Sequence, residues 1–174
     1  MAEFNSCAKL TNEKDYKEAE ALYESILARG EDPYQTIMNM QNSLQDELAE
    51  KLPKYNKSPY KLETMGDILD WTRKNEEAMR DEFRELYNAM GGMSNGEKAA
   101  SAIWKNWKAD HDKMRNVKYS DFSPEDKAEL MFEAIDIVHF WTNIMNGIGF
   151  DAKEMFVMYA LKQAENLRRY NNGY

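Results

Sequence analysis

The chain has 174 residues, 43% of them hydrophobic and 31% charged, a length at which folding buries roughly 70% of the unfolded chain's surface, so one domain over 1–174 with a real core is expected. Its 23 Lys plus Arg against 31 Asp plus Glu give a formal charge of −8, which argues against nucleic acid as a partner, since non-specific binding to the phosphate backbone depends on cationic surface. A single cysteine, Cys7, excludes an internal disulfide framework; no apolar run is long enough to span a bilayer, and MAEFNSCAKL lacks the basic and apolar regions of a signal peptide, so the cytoplasm is the expected compartment.

Few glycines and prolines, few β-branched runs and apolar residues at steps of three and four predict an all-α domain. Asp32 and Pro33 open the first clear helix, YQTIMNMQNSLQDELAEKL, with proline where its missing N–H costs nothing. Pro53 and Pro59 bracket the loop KYNKS. A long helix is predicted from about Leu62 to Met90, with Leu62, Met65, Ile68, Leu69, Thr72, Met79, Phe83, Leu86 and Met90 as its apolar stripe and Gly91-Gly92 as its stop. Ser94 and Glu97 form a capping-box spacing ahead of EKAASAIWKNWKADHDKM. After a connection over 115–121, Ser123-Pro124-Glu125-Asp126 starts a helix expected to run to about Asn146 and to end at Gly147 and Gly149. Asp151 and Glu154 cap the last helix, DAKEMFVMYALKQAENLRRY. The predicted architecture is a bundle of four main helices with additional N-terminal helices.

Two stretches carry acids at a spacing of three. In DEFREL these are Glu82 and Glu85; in EAIDIVHFW they are Glu133 and Asp136, with His139 a further three on. Side chains at i and i+3 share a helix face. Exposed pairs of this kind are common on acidic helices, which is a sufficient reading of DEFREL alone. Glu133 and Asp136, however, lie among Ile135, Ile137, Val138 and Phe140. If the two helices pack side by side, four carboxylates converge and repel unless a divalent cation joins them, and an all-oxygen ligand set suits Mg²⁺ or Mn²⁺ rather than zinc. His139 is assigned to the surroundings of the metal or to a base pocket. On the last helix Tyr159, Lys162, Asn166 and Arg169 follow one face, with Tyr174 beyond; they offer charge and neutral donors to phosphate, although a basic C-terminus also complements the helix dipole.

The series ExxE at 82–85, WK at 107–108, ExxDxxHF at 133–140 and YxxKxxxNxxRxxxGY at 159–174 resembles the dimeric, all-α dUTPases of the MazG-like nucleoside triphosphate pyrophosphatase superfamily. FNSCAKL, KLETMGDILDW and MSNGEKAASAIWKNWK are further similar to the dCTP pyrophosphatase group of T-even-like phages, so the likeness covers nearly the whole chain. It implies that Glu82, Glu85, Glu133 and Asp136 hold Mg²⁺, with one of the first pair orienting the attacking water. It implies that Lys162, Asn166, Arg169 and Tyr174 grip the phosphates, and that Trp107 and Lys108 lie near the substrate. Gln41 matches a family glutamine facing the base. Gln45 stands where dUTPases usually have asparagine, and a longer amide can present oxygen to the cytosine amino group.

The expected activity is therefore Mg²⁺-dependent hydrolysis of dCTP, and of dUTP, to the monophosphate and pyrophosphate by a homodimer. The alternatives are a strict dUTPase, a broader house-cleaning pyrophosphatase, or a non-catalytic helical interaction module with a methionine-rich surface. Cys7 lies far from every candidate motif and has no evident histidine partner for nucleophilic catalysis.

Overall fold

The structure, a computed structural model, describes residues 12–91, 107–109 and 115–173. Among these are five α-helices and no strand: α1 Glu13–Ala28, α2 Pro33–Lys51, α3 Met65–Ala89, α4 Pro124–Ile148 and α5 Ala152–Asn171, with short 3-10 turns at Pro59–Lys61 and Tyr119–Asp121. The fold is all-α. The helix expected over 97–114 falls largely outside the described residues, as do Cys7 and Tyr174.

Local chemistry sets the helix starts. The Asp32 carboxylate accepts from the N–H groups of Tyr34 and Gln35 at 2.8 and 3.1 Å, capping α2. Ser123 Oγ accepts from the N–H of Asp126 at 3.0 Å at the head of α4. Asp151 and Glu154 close a reciprocal capping box on α5, at 2.7 and 3.1 Å; each such contact satisfies an amide that has no partner within its helix. The long helix α3 begins three residues later than expected, because Thr64 and Asp67 build a capping box of their own: Thr64 Oγ1 accepts from the Asp67 N–H and Asp67 Oδ2 from the Thr64 N–H, both at 3.1 Å.

The chain forms two compact units, Met1–Leu22 with Arg73–Trp141, and Tyr23–Thr72 with Thr142–Tyr174. In the second unit the first turns of α3 pack on the last turns of α4. Trp71 is buried, and its indole N–H donates to the Asn143 carbonyl at 2.6 Å. Ile26, Met38, Ile144, Met145 and Ala152 complete that core. Gly147 lies inside α4, where a Cβ would meet Trp71 Cδ1 at 2.4 Å. It is a close-approach glycine rather than the expected terminator. Gly149, with φ +92°, ends the helix, and the Phe150 N–H reaches back to the Met145 carbonyl at 3.1 Å.

The apolar stripe expected of α3 is rotated. Met65 and Leu69 are 77% and 57% exposed, whereas Trp71, Asn75 and Ala89 are buried. At about 100° per residue, Glu82 shares the face of Trp71, Asn75 and Ala89. The inward face of α3 thus carries polar residues where apolar ones were expected.

Candidate active site

The first unit holds the carboxylates. Side-chain oxygens of Glu82, Glu85 and Glu133 all lie within 4.8 Å of one another, joining the DEFREL turn of α3 to the middle of α4. Glu133 is buried, Glu82 partly buried and Glu85 exposed, so the cluster opens to solvent on one side. Glu133 Oε2 is buried with no hydrogen-bond partner among the described residues. An unsatisfied carboxylate oxygen of this kind is costly unless a cation or a proton meets it.

The electrostatics follow from that crowding. Burial pushes the Glu133 carboxyl up to about 7, and repulsion from Glu85, Glu129, Asp136 and Glu82 adds to it. Burial also raises Glu82, with Glu85, Asp136 and Asp81 contributing. Asp136 stands outside the three-residue oxygen group, one turn further along α4. Its carboxyl too is raised by burial, an effect opposed by His139 beside it. His139 is exposed. It is thus a neighbour of Asp136 rather than a member of the cluster.

The remaining predicted residues divide by unit. In the second, Gln41 and Gln45 are 4% and 8% exposed, and Gln41 Nε2 donates to Asn143 Oδ1 at 2.9 Å. On α5, Lys162, Asn166 and Arg169 are exposed. Arg169 Nε is bound to Glu165 at 2.7 Å, and the same carboxylate takes Arg168 at 2.8 Å. Trp107 is 70% exposed and Lys108 is exposed as well.

Two relatives match this chain from end to end. The dCTP pyrophosphatase of Enterobacteria phage LZ5 is 45% identical over 174 residues, and the dCTP pyrophosphatase of Enterobacteria phage T4 is 44% identical over 174, in each case covering 100% of both chains. The chain belongs to the dCTP pyrophosphatase family. A DNA replication protein of phage T4 is 44% identical over 162 residues, which is 93% of this chain and 41% of that protein. No protein-family profile matches the chain, and no solved structure matches it.

Two buried polar residues near these positions had not been singled out. Glu129, 2% exposed, lies one turn before Glu133 on α4, and Asn143, 2% exposed, holds Gln41. The signal for Glu129 was its spacing of four from Glu133, which places both on one face. Asn143 lies seven residues beyond Asp136, two turns on, a spacing that places it on the same face.

Proposed function

We propose that the chain hydrolyses dCTP, and dUTP beside it, to the nucleoside monophosphate and pyrophosphate in a Mg²⁺-dependent reaction that controls the deoxypyrimidine nucleotide pool. The observation that carries this reading is the gathering of Glu82, Glu85 and Glu133 within 4.8 Å, in a chain whose full-length relatives are named dCTP pyrophosphatase.

The donor set fits a hard divalent cation. Its ligands are oxygens, and the unpartnered Glu133 Oε2 is an atom that needs a positive charge. Glu82, Glu85, Glu133 and Asp136 would hold Mg²⁺, with Mn²⁺ suited to the same ligands. When bound, the ion supplies charge neutralisation at phosphate oxygens and increases the acidity of water. The protein's own groups do the rest. Glu85, the exposed member of the DEFREL pair, accepts a hydrogen bond from the attacking water and aims it, with Glu82 beside it to share the proton. As the new phosphorus–oxygen bond forms, the bond to the departing pyrophosphate breaks. Lys162 and Arg169 offer charge to phosphate oxygens, and Asn166 and Tyr174 offer neutral donors. Glu165 orients the Arg169 guanidinium in advance. Gln41 and Gln45 are assigned to the base, with Trp107, Lys108 and His139 as further base or sugar contacts.

The host cytoplasm is the proposed place of action. Among the described residues no helix is long and apolar enough to cross a membrane. A homodimer is the proposed assembly, and it is supported by Ile37, Met40 and Leu44, which leave an apolar stripe of α2 46%, 56% and 41% exposed. The direct test is a change of Glu133 to Gln, assayed for release of dCMP and pyrophosphate from dCTP. Loss of turnover in a folded variant supports the reading, and full turnover contradicts it.

A further inference from the structure

Another acid of α4, Glu129, lies one turn before Glu133. Glu129 is 2% exposed and ranks with Met38 and Thr142 as the most fully buried large side chains among the described residues. Steps of four and three from Glu129 to Glu133 to Asp136 put all three acids on one face of the helix. The field of Glu129 reaches both of the others, pushing up the carboxyls of Glu133 and Asp136. Among themselves these carboxylates repel; toward a divalent cation each adds attraction, and more so away from bulk water. Glu129 is not one of the three residues, Glu82, Glu85 and Glu133, whose oxygens gather within 4.8 Å. It places a buried carboxyl one turn from Glu133, the residue whose Oε2 has no hydrogen-bond partner among the described residues.

We propose that Glu129 is a positioning residue of the cation site: its buried charge, one turn behind Glu133, raises the affinity of the Glu82–Glu85–Glu133 cluster for a divalent cation. The inference rests on the cation reading given above, and its test separates the two.

The full-length protein and its Glu129→Gln variant are titrated with Mn²⁺ alone, with free Mn²⁺ read by electron paramagnetic resonance and folding read by circular dichroism. Glutamine keeps the shape of the side chain and removes the charge. The expected result is Mn²⁺ binding by the unaltered protein and about tenfold weaker binding by the variant, the low end of what removing a group that supports a metal ligand costs. The Mg²⁺ concentration needed for half-maximal dCTP turnover rises in step, and turnover lost at low Mg²⁺ returns as Mg²⁺ is raised. A folded Glu129→Gln variant with unchanged Mn²⁺ affinity overturns the inference and leaves the cation reading standing, whereas an unaltered protein that binds no Mn²⁺ overturns the cation reading itself. Glu129→Asp keeps the charge and decides the matter if the glutamine variant does not fold. Retained Mn²⁺ affinity supports the inference; a folded aspartate variant that has lost it shows that packing is what Glu129 supplies, and overturns it.

Discussion

Glu133 is where burial and charge meet most sharply. Its carboxyl sits at about 7 against an ordinary value of 4.5, with burial the largest cause, so the folded protein without metal holds this proton more tightly than the unfolded chain does. The associated stability is fully present below the unfolded value and is lost as pH rises through about 7. In the absence of divalent cation, urea unfolding should therefore show stability falling between pH 5 and 8 by on the order of 3 kcal/mol, and Glu133→Gln should flatten that slope. Cation binding must expel the same proton, so Mn²⁺ affinity should rise over this window. For catalysis, Glu133→Gln should lower dCTP turnover on the order of 100-fold with an unchanged circular dichroism spectrum. Helix geometry made the pairs 82–85 and 133–136 legible and the apolar neighbours of Glu133 mark its setting, whereas the meeting of Glu82 and Glu85 with Glu133 depended on how the two helices pack. Glu129 was not legible: it lies in DKAEL, just past the acidic first turn of Glu125 and Asp126, and only packing from elsewhere makes it one of the most buried side chains.

Helix boundaries were readable at Asp32, Ser123 and Asp151, where a side chain bonds its own backbone, but not at Thr64, whose box with Asp67 starts α3. Asp32, Ser123 and the Asp151–Glu154 pair cap where expected because the capping contacts span only two or three residues. Asp151→Ala should cost about 1 kcal/mol in urea unfolding, since it strips one side of the box. Glycine was harder to read, because one residue type serves both a positive φ and a close approach. Gly149 does the first and Gly147 the second. Gly147→Ala should destabilise the protein: alanine gains about 1 kcal/mol of helix propensity, but its methyl would stand 2.4 Å from Trp71 Cδ1 and 2.6 Å from Nε1, and overpacking of that kind costs about 1–3 kcal/mol. Trp71 cannot swing aside without losing its 2.6 Å bond to the Asn143 carbonyl. A higher urea midpoint in Gly147→Ala would show that this contact is not tight. The apolar stripe of α3 was misplaced for a related reason. Its inward face carries Asn75 and Glu82, and a pattern search that scores only apolar residues turns the helix away from them.

At the scale of the whole molecule, periodicity was enough to establish an all-α protein, because steps of three and four recur in every described helix. Assembly leaves no such mark in composition; among the described residues the exposed Ile37, Met40 and Leu44 support the proposed dimer. Sedimentation equilibrium should give twice the 20.4 kDa chain mass; a monomer at micromolar concentration would contradict the proposed dimer. The measurement that addresses the choice of nucleotide most directly is product release from dCTP, dUTP, dTTP, dATP and dGTP, with Mg²⁺ and with chelator. The account predicts monophosphate and pyrophosphate from dCTP and dUTP alone, and none from any nucleotide once the chelator is present. Turnover that survives the chelator, or dCTP left intact with Mg²⁺, would contradict it.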